Sequence, residues 1–115
     1  MSRDALPVLR HLAGDIVEER GTPYETGRVI WSTAMSAVTA SEPEGSQCHA
    51  LWLLWGALTD WVERKPAERA VAEEAMRRAA REWLDVVDDP PAWRAYFDHW
   101  LYDEMRYVRP SNRTD

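Results

Sequence analysis

With 115 residues, 45% hydrophobic and 30% charged, the chain has the composition of one globular domain and lies far from the charge-rich, apolar-poor regime of disorder. Its net charge of −6, from 20 acids against 14 bases with both signs spread through both halves, argues against a nucleic-acid binder and is too mixed for a mimic of DNA. A single cysteine, Cys48, excludes an intramolecular disulfide and a thiolate metal cluster within one chain.

A reducing, cytoplasmic setting is the expectation, because MSRDALPVLRHLAGDIVEER carries charges every few residues and no apolar run suited to a signal peptide or membrane span. Lys65 is the only lysine among the 14 bases, a bias of GC-rich coding that hints at a bacterial or phage source. Five segments have helical periodicity, and nothing alternates with the two-residue period of a strand. The reading is an all-α, single-domain antiparallel bundle over residues 1–115 with a tryptophan-rich core, its helices near 4–20, 23–40, 46–64, 66–88 and 91–108.

The first helix is expected to begin at Asp4 as N-cap, to tolerate Pro7 in its first turn and to stop at Gly21. Its stripe is Leu6, Leu9, Leu12, Ala13, Ile16 and Val17. Thr22, Pro23 and Glu25 open the second helix as N-cap, first-turn proline and capping-box glutamate. Gly27, Ile30, Trp31, Ala34 and Val38 share one of its faces, and SEPEGS at 41–46 ends it.

The third helix is apolar over most of its circumference, through Cys48, Leu51, Trp52, Trp55, Leu58 and Val62 flanked by Leu54, Ala57 and Trp61, which places it in the centre of a bundle. His49, Gly56, Asp60 and Glu63 form its narrow polar arc. Pro66 starts a fourth helix whose Ala72, Ala75, Met76, Ala79, Trp83, Val86 and Val87 oppose a solvated face of Glu73, Glu74, Arg77, Arg78, Arg81 and Asp85. Asp89, Pro90 and Pro91 then break the chain and cap a fifth helix that buries Trp93, Tyr96, Phe97, Trp100 and Leu101.

Seven tryptophans are the compositional outlier, and most read as core filler between small alanines. Trp61 and Trp93, near stripe edges or helix ends, are the better interface candidates, with Tyr96, Trp100 and Tyr107 completing an aromatic binding set. Glu104 falls on the apolar stripe of the fifth helix, where a carboxylate needs a cation or a raised pKa; a structural pair, with Arg20 as partner, is preferred over a functional acid. His99 and Asp103 form an i,i+4 pair able to orient an imidazole, though such pairs on helix surfaces are usually solvated.

Metal chemistry finds little support. His11, Asp15 and Glu18 share the charged side of the first helix, but neither Glu-x-x-His nor His-Glu-x-x-His occurs. His49 and Asp60 are separated by eleven residues, about 16 Å along a helix, so they make no dyad, although a ligand groove along their arc over Gly56 is open to them. Cys48, among Leu51 and Trp52, reads as an inert buried thiol.

No cofactor and no metal are expected. The leading function is a non-enzymatic interaction, regulatory or accessory module acting through an aromatic patch, with a protein partner or a second copy as occupant. The alternative is a small-molecule-binding bundle or small enzyme with a pocket between the third and fifth helices, using Glu104, His99 and Tyr96. Tryptophans pointing outward in a patch would favour the first; tryptophans around a cavity would favour the second.

Overall fold

The computed structural model describes residues 5–106, in which every regular element is helical. The helices are α1 (Ala5–Val17), α2 (Pro23–Met35), α3 (Glu44–Arg64), α4 (Arg69–Val86) and α5 (Pro90–Asp98). A 3-10 turn, Pro66–Glu68, leads into α4, and a π turn, His99–Glu104, prolongs α5.

Local start signals work where the sequence carries them. Thr22 accepts the Glu25 N–H at the head of α2, and Asp89 accepts the Ala92 N–H at the head of α5, each before a first-turn proline. The ends differ more from expectation. Glu19 (φ 61°) and Gly21 (φ 80°) turn left-handed, so α1 stops at Val17 rather than near residue 20. Helix α2 ends at Met35 instead of continuing to 40, where the Ser36 hydroxyl bonds back to the Thr33 carbonyl at 2.8 Å. Helix α3 begins at Glu44, two residues before the expected 46.

Two helix starts draw on distant carboxylates. The Ala5 N–H donates to Glu44 Oε2 at 2.9 Å, so α1 is capped from α3; Asp4, the expected cap, lies outside the described residues. The Tyr24 N–H in the first turn of α2 donates to Glu73 Oε2 of α4 at 3.3 Å, while Arg69 holds the same carboxylate at 3.1 Å. A negative charge at a helix N-terminus meets unpaired N–H groups and the positive end of the dipole.

The core is one cluster in which Trp55, Trp83, Trp93 and Trp100 are all buried, with Leu9, Ile16, Ile30, Leu51, Leu58 and Met76. Helix α4 packs against α1, α2, α3 and α5, and α3 against α2, α4 and α5, so the centre is shared between these two helices. Gln47 is a polar exception at 2% exposure: its Oε1 accepts the Trp83 indole N–H at 2.8 Å, and its Nε2 faces the Val87 carbonyl at 3.4 Å. This knot ties the start of α3 to the end of α4.

Helices α2 and α3 meet through two reciprocal glycine–tryptophan contacts. A Cβ on Gly27 would lie 3.1 Å from Trp55 Cε3 and 3.3 Å from Thr59 Cγ2; one on Gly56 would lie 3.0 Å from Trp31 Nε1. Trp55 is sealed in the core, whereas Trp31 is half-buried and can swing toward solvent. Alanine gains about 1 kcal/mol of helix propensity at either site, but overpacking a rigid core costs roughly 1–3 kcal/mol. Gly27→Ala should therefore destabilise the fold, by about 1 kcal/mol net, while Gly56→Ala should be neutral or stabilising. Urea midpoints for the two variants check this, and equal losses would mean that Trp31 is as immobile as Trp55.

Candidate functional site

A cleft of about 460 Å³ opens between α4 and the π turn, walled at one end by α3. Ala70, Val71, Ala75 and Met105 supply aliphatic surface, Trp61 and Trp100 aromatic surface, and Glu74, Arg78 and Glu104 the polar groups. Its volume and mixed lining fall in the range of small-molecule sites.

The π turn shapes this cleft. The Met105 N–H bonds to the Trp100 carbonyl at 2.8 Å, a span of five residues rather than four, and the wider ring rotates the end of the turn relative to a straight α-helix. Glu104 therefore leaves the apolar stripe on which a regular wheel puts it and sits at the cleft edge. Its partner is Arg78 of α4, at 3.3 and 3.5 Å, and not Arg20, which is engaged with Asp15 and Glu18 on the exposed surface. The expected structural pair exists with a different cation.

Arg78 has a second contact besides Glu104. Its guanidinium lies 4.6 Å over the Trp100 ring, whose indole N–H donates to Glu82 at 2.9 Å. On the other side of Glu104, His99 Nε2 is 3.0 Å away, and His99 Nδ1 is 3.4 Å from Asp103 Oδ2. The hydrogen bond from Arg78, aided by His99 and opposed by partial burial, holds the Glu104 carboxyl below its ordinary range. A general acid needs the opposite shift, so Glu104 is an ionised partner rather than a proton donor at neutral pH.

The other expected site residues separate into those near the cleft and those away from it. Trp61 walls it and is itself held by Glu68, which accepts the indole N–H at 2.7 Å; Trp100 lies in its lining although only 1% exposed. Trp93 is 4% exposed and packed edge-on against Phe97, because the stripe edge on which it falls faces the core. Tyr96 is likewise buried, and its hydroxyl donates to the Ala79 carbonyl at 2.7 Å, so it satisfies backbone instead of facing a ligand. Burial pushes that phenol well above its usual range. Tyr107 lies outside the described residues.

The cleft joins Trp61 of α3 to Trp100 and Glu104 of the π turn, but most of its lining comes from α4, whose Ala70, Val71, Glu74 and Arg78 the sequence pattern leaves on a solvated or unremarked surface. Val71 carried a signal: it is an apolar residue outside the stripe of a charged helix, and it is 60% exposed. The smaller groove over Gly56 exists too, about 260 Å³ lined by Arg28, Trp31, Thr59, Asp60 and Glu63. His49 packs on Trp52 instead and does not line it.

Among the described residues no set of three or more His, Cys, Asp or Glu side chains is placed to hold a metal ion. His11 stands 3.7 Å from an Asp15 already engaged by Arg20. Cys48 is fully buried, and burial with the nearby Glu44 charge raises its thiol to about 11, as an inert packing residue requires. No described helix is long and apolar enough to cross a membrane. Comparison with known proteins finds no matching family model, no similar curated protein and no similar solved structure.

Proposed function

We propose that this protein is a non-catalytic helical binding module that takes a small amphipathic molecule into the cleft between α4 and the π turn. The observation that carries the reading is the convergence of Trp61, Trp100, Val71 and Met105 with the ion pair Arg78–Glu104 around one cleft of about 460 Å³. Four of the seven tryptophans are packed inside, which weighs against an outward aromatic patch. The direction of the Glu104 shift weighs against acid catalysis.

The test is a titration with 1-octanol followed by NMR at the Trp61 indole N–H and the Met105 methyl. Saturable shifts confined to these residues and their neighbours are expected. Val71→Asp, at an exposed rim position, should weaken binding about fivefold or more through lost apolar contact and a charge at the mouth. Diffuse, non-saturating shifts would sink the reading.

A protein partner or a second copy is the second reading. An adjoining cleft of about 220 Å³, lined by Ala57, Asp60, Arg64 and Lys65, shares Trp61 and Met105 with the first, and this continuity suits an extended occupant. Sedimentation equilibrium separates the cases: a self-association weakened by Val71→Asp favours the second copy, and a monomer at high concentration removes it.

A further inference from the structure

The geometry points to an amphipathic anion, a carboxylate or a group of like charge on an apolar tail, as the ligand of the α4 cleft, with Glu104 as the chain's own placeholder for the anionic head. The inference rests on the binding reading above and adds the chemistry of the occupant.

Arg78 is the only cation among the described residues lining the cleft, and its guanidinium is already positioned there by the Trp100 ring at 4.6 Å. That contact is made with the ring and is separate from the pair with Glu104. A displaced Glu104 would leave a charged, oriented fork facing the cavity, the arrangement that recognises carboxylates and phosphates.

The Arg78–Glu104 pair is built to open. Its contacts of 3.3 and 3.5 Å are longer than the roughly 2.7–2.9 Å of a firm charge-assisted bond, and both side chains are partly exposed, 43% and 30%. Partly exposed pairs of this kind contribute little, so a ligand with its own apolar contacts can displace one partner. Glu104 also has somewhere to go, since His99 Nε2 already stands 3.0 Å from its Oε2. The remaining acid of the lining, Glu74, is turned to Arg77 at 3.1 Å and is 70% exposed, so its charge meets water and a cation before it meets the cleft. The net charge of −6 opposes an approaching anion only weakly at physiological salt, where screening acts within about 8 Å. The exchange therefore trades one carboxylate on Arg78 for another and leaves the apolar tail of the ligand against Trp61, Val71, Ala75 and Met105.

The experiment compares octanoate, 1-octanol and octylammonium by isothermal titration on the full chain, wild type and two variants, near neutral pH. Octanoate should bind the wild type more tightly than 1-octanol does, and octylammonium least. Glu104→Gln removes the competing charge and should tighten octanoate about three- to tenfold, and tighten it by clearly more than it changes 1-octanol. Arg78→Met keeps an aliphatic stem over Trp100 and should weaken octanoate roughly tenfold or more, down to the affinity of 1-octanol. If Arg78→Met fails to fold, Glu104→Gln alone decides. Equal or weaker octanoate binding by Glu104→Gln, or a preference of the wild type for octylammonium, overturns the anion inference and leaves the cleft reading standing. Failure of all three probes to bind overturns both.

Discussion

Trp55→Ala should be the most damaging single truncation, lowering stability by about 3–5 kcal/mol and the melting temperature by roughly 10 °C or more. Trp55 is 1% exposed in the middle of α3, and its ring fills the space that Gly27 leaves on α2. Removing the indole forfeits its transfer energy and opens a cavity between helices that cannot simply collapse, since Ile30, Leu51 and Leu58 are equally buried around the same core. The assignment to this contact is testable by a double-mutant cycle. Gly27→Ala destabilises the wild type because its Cβ meets Trp55, so the same change in the Trp55→Ala background should cost nothing or stabilise. Additive effects would show that Trp55 and Gly27 do not oppose one another.

The second large effect is expected at Gln47. Gln47→Leu is nearly isosteric, yet it should destabilise by about 2 kcal/mol, because the buried Trp83 indole N–H loses the acceptor that satisfies it. The cost comes from the orphaned donor and not from a weak hydrogen bond. A second change exposes this: Trp83→Phe, made in the Gln47→Leu background, removes the orphan and should recover part of the loss, whereas in the wild type it should only destabilise. Urea denaturation followed by circular dichroism measures all four species. A neutral Gln47→Leu would mean that the indole finds another partner.

How far these features could be read in the sequence depends on the range of the interaction that produces them. Thr22, Pro23 and Glu25, or Asp89 and Pro90, act within one helical turn, so the starts of α2 and α5 were legible residue by residue. The apolar stripes were legible for the same reason: a 3.6-residue period sorts Leu9, Ala13 and Ile16 onto one side without knowledge of what they meet. Gln47 was not legible, because one polar residue beside a stripe is as compatible with solvent as with a buried knot until Trp83 is seen opposite. Glu104 failed differently. A wheel that puts it on the apolar stripe assumes a constant pitch, and the five-residue step at Trp100 breaks that assumption, so the sequence shows that the carboxylate needs a cation but not that the cation is Arg78. The cleft itself depends on Val71 and Arg78 sitting opposite Met105 and Glu104, a juxtaposition of segments about thirty residues apart that no local pattern encodes.

The carboxylates of Glu44 and Glu73, which complete the starts of α1 and α2, have a consequence for how the chain comes into being. Synthesis from the N-terminus presents α1 and α2 before Glu44, Glu73 and the faces of α3 and α4 on which they pack. Neither helix exceeds 13 residues, a length at which an isolated helix is marginal in water. Helices α1 and α2 should therefore stay largely unformed until α3 and then α4 emerge and supply both the capping carboxylates and the apolar faces that hold them.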